Sequence, residues 1–143
     1  AAALGTRIIL DESLLRADQL ERLPGPAERW IANVRISKIG GLLRSLEMVC
    51  ALREHGMKLV IGAHVGETSV LTRAALAVAQ GARDILIAQE GAFGTHLLAY
   101  DVAEPPLMFG PGGVLDASML KPDAPGLGLA IAGAPDAGGA RLT

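Results

Sequence analysis

The chain has 143 residues, enough for one domain with a sizeable core. Thirteen basic residues against fifteen acidic ones leave a net charge of −2, with no basic stripe and few aromatics. Neither nucleic acid nor a membrane is therefore expected as a partner. No apolar run approaches the ~20 residues of a bilayer span, and the N-terminus lacks the basic-then-apolar order of a secretion signal. The single Cys50 cannot form an internal disulfide, so a reducing, cytoplasmic location is expected.

The elements follow in strict alternation. The opening "AAALGT" reads as the last turn of a helix closed by Gly5, as if the chain began in mid-architecture. "RIIL", residues 7–10, is a short strand ending at Asp11, and Ser13 is expected to cap a helix running to about Leu23, where "PGP" stops it. "ANVRI" forms the second strand, expected to end near Lys38. After Gly40 and Gly41 a helix runs to His55, with Leu42, Leu46 and Val49 on its apolar face beside Leu43 and Cys50. "KLVIGA" is the third strand, ending at His64, and a helix from near Thr68 packs through Leu71, Ala74, Ala75 and Val78. "DILIA", residues 84–88, is the fourth strand and leads to Glu90. "GPGG" at 110–113 lacks the order of a phosphate-binding loop and reads as a turn.

Polar residues stand at all four strand ends. Asp11, Lys38, His64 and Glu90 are spaced 27, 26 and 26 residues apart, close to the length of a βα unit. Four such units with near-continuous apolar strands fit a doubly wound sheet or part of a (β/α)8 barrel, and the even period without a GxGxxG turn favours the barrel. A full barrel takes about 250 residues. The expected fold is therefore α/β, the C-terminal half of a TIM-type barrel of about four βα units, followed by a tail. Residues 1–103 form the half-barrel and 104–143 the wrapping tail, whose last residues are expected to be flexible.

Each strand-end residue has two readings. Asp11 is either a helix cap or a metal-binding carboxylate, and Lys38 either reaches into solvent or exchanges protons in a low-dielectric barrel mouth. Asn33, Arg35 and Ser37 are expected on the barrel interior, opposite Val34 and Ile36. His64 is either a hydrogen-bonded structural residue or a site residue. Glu67 either complements the dipole of the helix it precedes or supports the site, and Glu90 is either a loop carboxylate or an acid facing Lys38.

The ordered words "ILDES", "NVRISKIGG", "HVGETSVL", "AQEGAFG" and "PGLGL" span about residues 1 to 131. Together they resemble the enolase superfamily, and most of all its mandelate racemase–muconate-lactonising branch, which includes cycloisomerases and dipeptide epimerases. The resemblance implies proton abstraction next to a carboxylate, with Mg2+ as cofactor and a small carboxylate as substrate. It makes Asp11 a metal ligand, Lys38 the acid/base group and Glu90 a carboxylate facing the substrate. Glu12, Arg35, His64 and Glu67 become substrate-binding or supporting residues. It also implies two further metal carboxylates, a Lys-x-Lys pair and a capping domain, none of which this chain contains. One carboxylate is a poor magnesium site, so the isolated half is expected to be inactive and to need a missing N-terminal half or a second copy. The rival expectation is a non-catalytic half-barrel scaffold that oligomerises through its open sheet edges.

Overall fold

The structure is a computed structural model that describes residues 5–91, 94–116, 118, 120–121 and 123–132. Four short apolar runs form one parallel sheet: β1 (Ile8–Leu10), β2 (Trp30–Val34), β3 (Lys58–Ile61) and β4 (Leu86–Gln89). They lie side by side in chain order, each pairing with the next. Parallel neighbours need a crossover of a dozen residues or more. Here α2 (Leu42–Glu54) links β2 to β3, and α3 (Ser69–Gly81) links β3 to β4. Sequential parallel strands with covering helices are half of an α/β barrel, as expected.

Pairing register fixes which side chains share a face. Leu10 lies beside Ala32, Ala32 beside Leu59, and Val34 beside Ile61. This set is buried and packs with Met48, Val49, Leu52, Ala74, Ala75 and Val78 of the two helices. Alternate residues turn to the other, concave face, where Ile9 pairs with Ile31 and Asn33 with Val60. Ile9 is 53% exposed and Ile87 of β4 is 47% exposed, so that face and both outer strands are open.

Several expected boundaries are corrected. Ser13 caps no helix; a 3-10 helix at Ala17–Arg22 replaces the expected one. Its start is set by Gln19, whose Oε1 accepts from the backbone N–H groups of Leu15 and Arg16, each at 2.8 Å. Leu14 and Leu20 on either side are buried, at 2% and 3% exposure, and anchor this segment. β2 stops at Val34, and Lys38 lies on a single helical turn, α1 (Ile36–Ile39). That turn buries Ile36 and Ile39, and Gly40 ends it with φ +99°, a conformation that L side chains rarely adopt. The interior alternation therefore covers Asn33 and Arg35 but not Ser37, which is helical and exposed.

On α2 the buried face is Ser45, Met48, Val49 and Leu52, whereas Leu43 is 76% exposed and Cys50 is exposed. β3 ends at Ile61 rather than His64, and β4 is shifted to Leu86–Gln89 because Ile85 and Leu86 first close a turn onto the Ala82 carbonyl. Thr68 does precede α3 as its cap position, and Pro111–Gly113 is a turn with φ +70° and +73° at its glycines.

Beyond β4 come a short helix, α4 (Gly94–Leu97), and a two-stranded antiparallel ribbon, β5 (Ala103–Glu104) with β6 (Ala130–Ile131). The expected opening helical turn and flexible end of the tail lie outside the described residues. No described helix is long and apolar enough to cross a membrane.

Candidate functional site

The candidate site is the rim formed by the C-terminal ends of the strands. Asp11 follows β1 directly, and its carbonyl accepts from Leu14 N–H at 3.3 Å, turning the chain at the strand end. Arg35 follows β2 on the concave side, and α1 then lifts Lys38 over the same spot. Both cations meet Asp11. Arg35 Nη2 donates to Oδ2 at 2.7 Å, and Lys38 Nζ donates to Oδ1. Glu12 stands outside this core at 4.0 Å from Arg35 Nη1 and 3.6 Å from Lys38 Nζ.

Exposure separates these contacts. The side chains of Lys38, Arg35 and Asp11 are 14, 19 and 28% exposed, against 75% for Glu12. Water screens a pair weakly when both partners are mostly covered, so the three inner groups form the strong part of the cluster. Two cations and two carboxylates balance in charge.

The floor beside the cluster is close-packed. A Cβ on Gly62, just after β3, would lie 2.1 Å from Asn33 Oδ1 and 2.9 Å from Arg35 Cγ. Only glycine fits between those side chains. Asn33 Oδ1 and Arg35 Nε are buried without hydrogen-bond partners among the described residues.

The other expected residues do not join the cluster. Glu90 is exposed; its Oε2 accepts from Ala63 N–H at 3.0 Å and its own N–H donates to Ile61 O at 2.8 Å. It therefore clasps the ends of β3 and β4. His64 is exposed and contributes its carbonyl to Glu67 N–H at 3.3 Å. Glu67 is buried, and its Oε1 has no partner among the described residues.

Sequence reasoning missed Asp101. Its Oδ2 accepts from Ser69 N–H at 2.9 Å and Ser69 Oγ–H at 2.8 Å, capping α3 from a distant loop. The Ser69 hydroxyl oxygen in turn accepts from Leu107 N–H at 2.6 Å and docks the tail. A cap that arrives from 32 residues away leaves no local signature.

Among the described residues no three metal-ligating side chains come together. Asp11, the one expected ligand, has an oxygen committed to each cation. This donor set does not by itself fit a divalent ion, which wants six or more oxygens and concentrated negative charge.

Half an α/β barrel with an ionic cluster at its strand ends defines a class of fold and site. The comparisons with known proteins narrow it. Residues 1–134 match the family described as enolase C-terminal domain-like, and the chain belongs to that family. Among solved structures, it is similar to a dipeptide epimerase from Methylococcus capsulatus complexed with Mg and the dipeptide L-Arg-D-Lys. The identity is 30% and the TM-score 0.58, covering 73% of this chain and 29% of that one. A member of the enolase superfamily from Listeria innocua shares the fold at 18% identity and TM-score 0.67, covering 90% and 33%. An N-succinyl Arg/Lys racemase from Bacillus cereus does so at 18% identity and TM-score 0.57, covering 87% and 31%. The chain thus spans about a third of the length of each. No curated protein matches it.

Proposed function

We propose that this chain is the C-terminal part of a superfamily enzyme that removes the proton next to a carboxylate, as in racemisation, epimerisation, cycloisomerisation or dehydration. The observation that carries this reading is the Asp11–Arg35–Lys38 cluster at the strand ends, the place where barrel enzymes work. Lys38 is the acid/base group, moving a proton at Nζ on one face of the substrate carbon. Arg35 sets the electrostatics around it, and Glu12 and His64 lie at the outer edge of the same rim. Glu90 faces the substrate from β4, while buried Glu67 supports the start of α3.

The muconate-lactonising branch is our reading from the motifs, with residues 1–103 as the catalytic half-barrel and 104–143 as a wrapping tail. Magnesium enters this reading as a property of the assembled enzyme: Asp11 would be one ligand of several, the others supplied from outside this chain. Because the donor set here does not fit the ion alone, the isolated half is inactive and works with an N-terminal half or a second copy, in a cytoplasmic setting. Nucleic acid and membranes have no part in it. The rival reading is a half-barrel scaffold, favoured by the open outer strands β1 and β4.

Exchange of α-protons with deuterated water separates the two. In the longest natural polypeptide carrying these residues, small carboxylates should exchange, and Lys38→Ala should abolish exchange on one face of the carbon. If no carboxylate in a broad panel exchanges, the scaffold reading replaces the enzyme. If Lys38→Ala leaves both faces active, the assignment of Lys38 falls.

A further inference from the structure

Next to the strand-end rim lies a second concavity that neither the cluster nor the motifs account for. It is a half-open cleft of about 390 Å³ between α4 and the tail, walled by Leu98, Tyr100, Pro106, Met108, Phe109 and Asp101. Its position follows from the chain. Phe109 packs on Gly91, where a Cβ would meet the ring at 2.8 Å, and Gly91 directly follows Glu90. The cleft therefore begins where the rim ends. Its inner end at Gly94 is equally tight, since a Cβ there would lie 2.2 Å from Glu67 O and 2.9 Å from Met108 Cε.

The walls are built before any ligand arrives. Met108 is held against α3 by Thr72, whose Oγ1 lies 3.9 Å from its sulfur, and the preceding Leu107 is pinned by Ser69. Preformed walls spare a ligand the entropy of ordering them. The volume falls within the range of small-molecule pockets, which are mostly apolar with a few polar groups.

Charge decides the occupant. Among the described residues Asp101 is the single carboxylate in the wall, and it is already used: Oδ2 by the Ser69 N–H and hydroxyl, Oδ1 by Ala103 N–H at 2.9 Å. Among the described residues no cation lines the cleft. A charged ligand group would lose water there and gain no partner. Tyr100, 79% exposed, and Leu98 offer apolar surface at the mouth.

We propose that this cleft is a subsite for a neutral apolar group, an aromatic ring or alkyl chain, carried by the carboxylate substrate that reaches the rim. The proposal rests on the enzyme reading above and adds to it. It sets this chain apart from the dipeptide epimerase and racemase it resembles, whose names carry basic Arg and Lys ligands.

The test compares phenylpropionate with aminohexanoate, two carboxylates that differ at the far end. The full chain is labelled at its methionine methyls. Met108 reports on the cleft, while Met48 and Met57, 1% and 2% exposed in the core, serve as internal references. Phenylpropionate should shift Met108 saturably and bind at least about tenfold more tightly than aminohexanoate. Tyr100→Ala, at a site too exposed to disturb folding, should weaken phenylpropionate several-fold and leave aminohexanoate unchanged. Equal affinities, no saturable shift at Met108, or shifts confined to Met48 and Met57 would each overturn the subsite. A polypeptide that exchanges α-protons yet shows no preference for the phenyl end refutes the subsite alone; preference without exchange in any carboxylate refutes the enzyme reading alone.

Discussion

Replacing Asp11 by asparagine keeps the size of the side chain and removes the charge that two cations share. Arg35 donates to Oδ2 at 2.7 Å and Lys38 to Oδ1, with all three side chains less than a third exposed. Hydrogen bonds to charged groups contribute about 1.5–3 kcal/mol each, so two would total about 3–6 kcal/mol. Partial solvent screening and the bond that an amide oxygen still accepts reduce this by about half. The expected loss for Asp11→Asn is therefore about 1.5–3 kcal/mol. With a urea slope near 2 kcal/mol per molar, the unfolding midpoint should fall by about 1 M. Glu12→Gln is the control: Glu12 is 75% exposed and meets the same cations at 4.0 and 3.6 Å, so its loss should stay below about 0.5 kcal/mol. A double-mutant cycle of Asp11→Asn with Arg35→Met should return a coupling of about 1–2 kcal/mol. If Asp11→Asn moves the midpoint no further than Glu12→Gln does, the cluster does not hold the strand ends together and the reasoning fails.

Two further outcomes follow from contacts away from the cluster. Asp101→Ala removes the remote cap of α3 and should cost about 1 kcal/mol; because Ser69 also holds Leu107, proteolysis should then cut the tail near Leu107 faster, and an unchanged cutting rate would separate the cap from tail docking. Arg53 holds Asp84 by two bonds of 2.7 Å, and this guanidinium lowers the Asp84 carboxyl from 3.8 to about 2. A depressed carboxyl adds stability above its unfolded value and loses it as pH falls through the folded value. Wild type should therefore exceed Asp84→Asn in stability above pH 4, with the gap closing between about pH 4 and pH 2; a gap that persists at pH 2 would contradict the assignment.

The barrel half was legible because parallel strands leave strong marks. Apolar runs at 7–10, 58–63 and 84–88, each leading to a polar residue at Asp11, His64 or Glu90, recur at multiples of the length of a βα unit, and the sheet forms in that order. The short elements were not legible. Lys38 stood in a run that reads as strand through Ile36, yet burial of Ile36 and Ile39 and the left-handed Gly40 turn that run into a helix. The same turn places the lysine over Asp11, so missing it concealed the cluster even though both residues were named. The Ser13 cap failed because Gln19 satisfied the local N–H groups instead, a contest between side chains that spacing cannot decide. Asp101 caps α3, and Gly62 makes room for Asn33 and Arg35, through partners distant in sequence.

The cluster also bears on the choice between enzyme and scaffold. Two cations and a carboxylate, each mostly withdrawn from water, are a costly way to join β1 to α1, since apolar side chains of similar volume often stabilise as well or better. Stability alone therefore gives no reason to keep charges there. The surrounding groups sharpen the point: among the described residues Asn33 Oδ1 and Arg35 Nε are buried and unpaired beside Gly62, where even a methyl group is refused room. Unpaired buried polar atoms cost about 1–3 kcal/mol each, and a scaffold gains nothing in return. A reaction site has use for such charged and polar groups next to one another. Ionic groups concentrated at the strand ends, with buried polar atoms left unpaired beside them, weigh for chemistry on that rim and against a purely structural role.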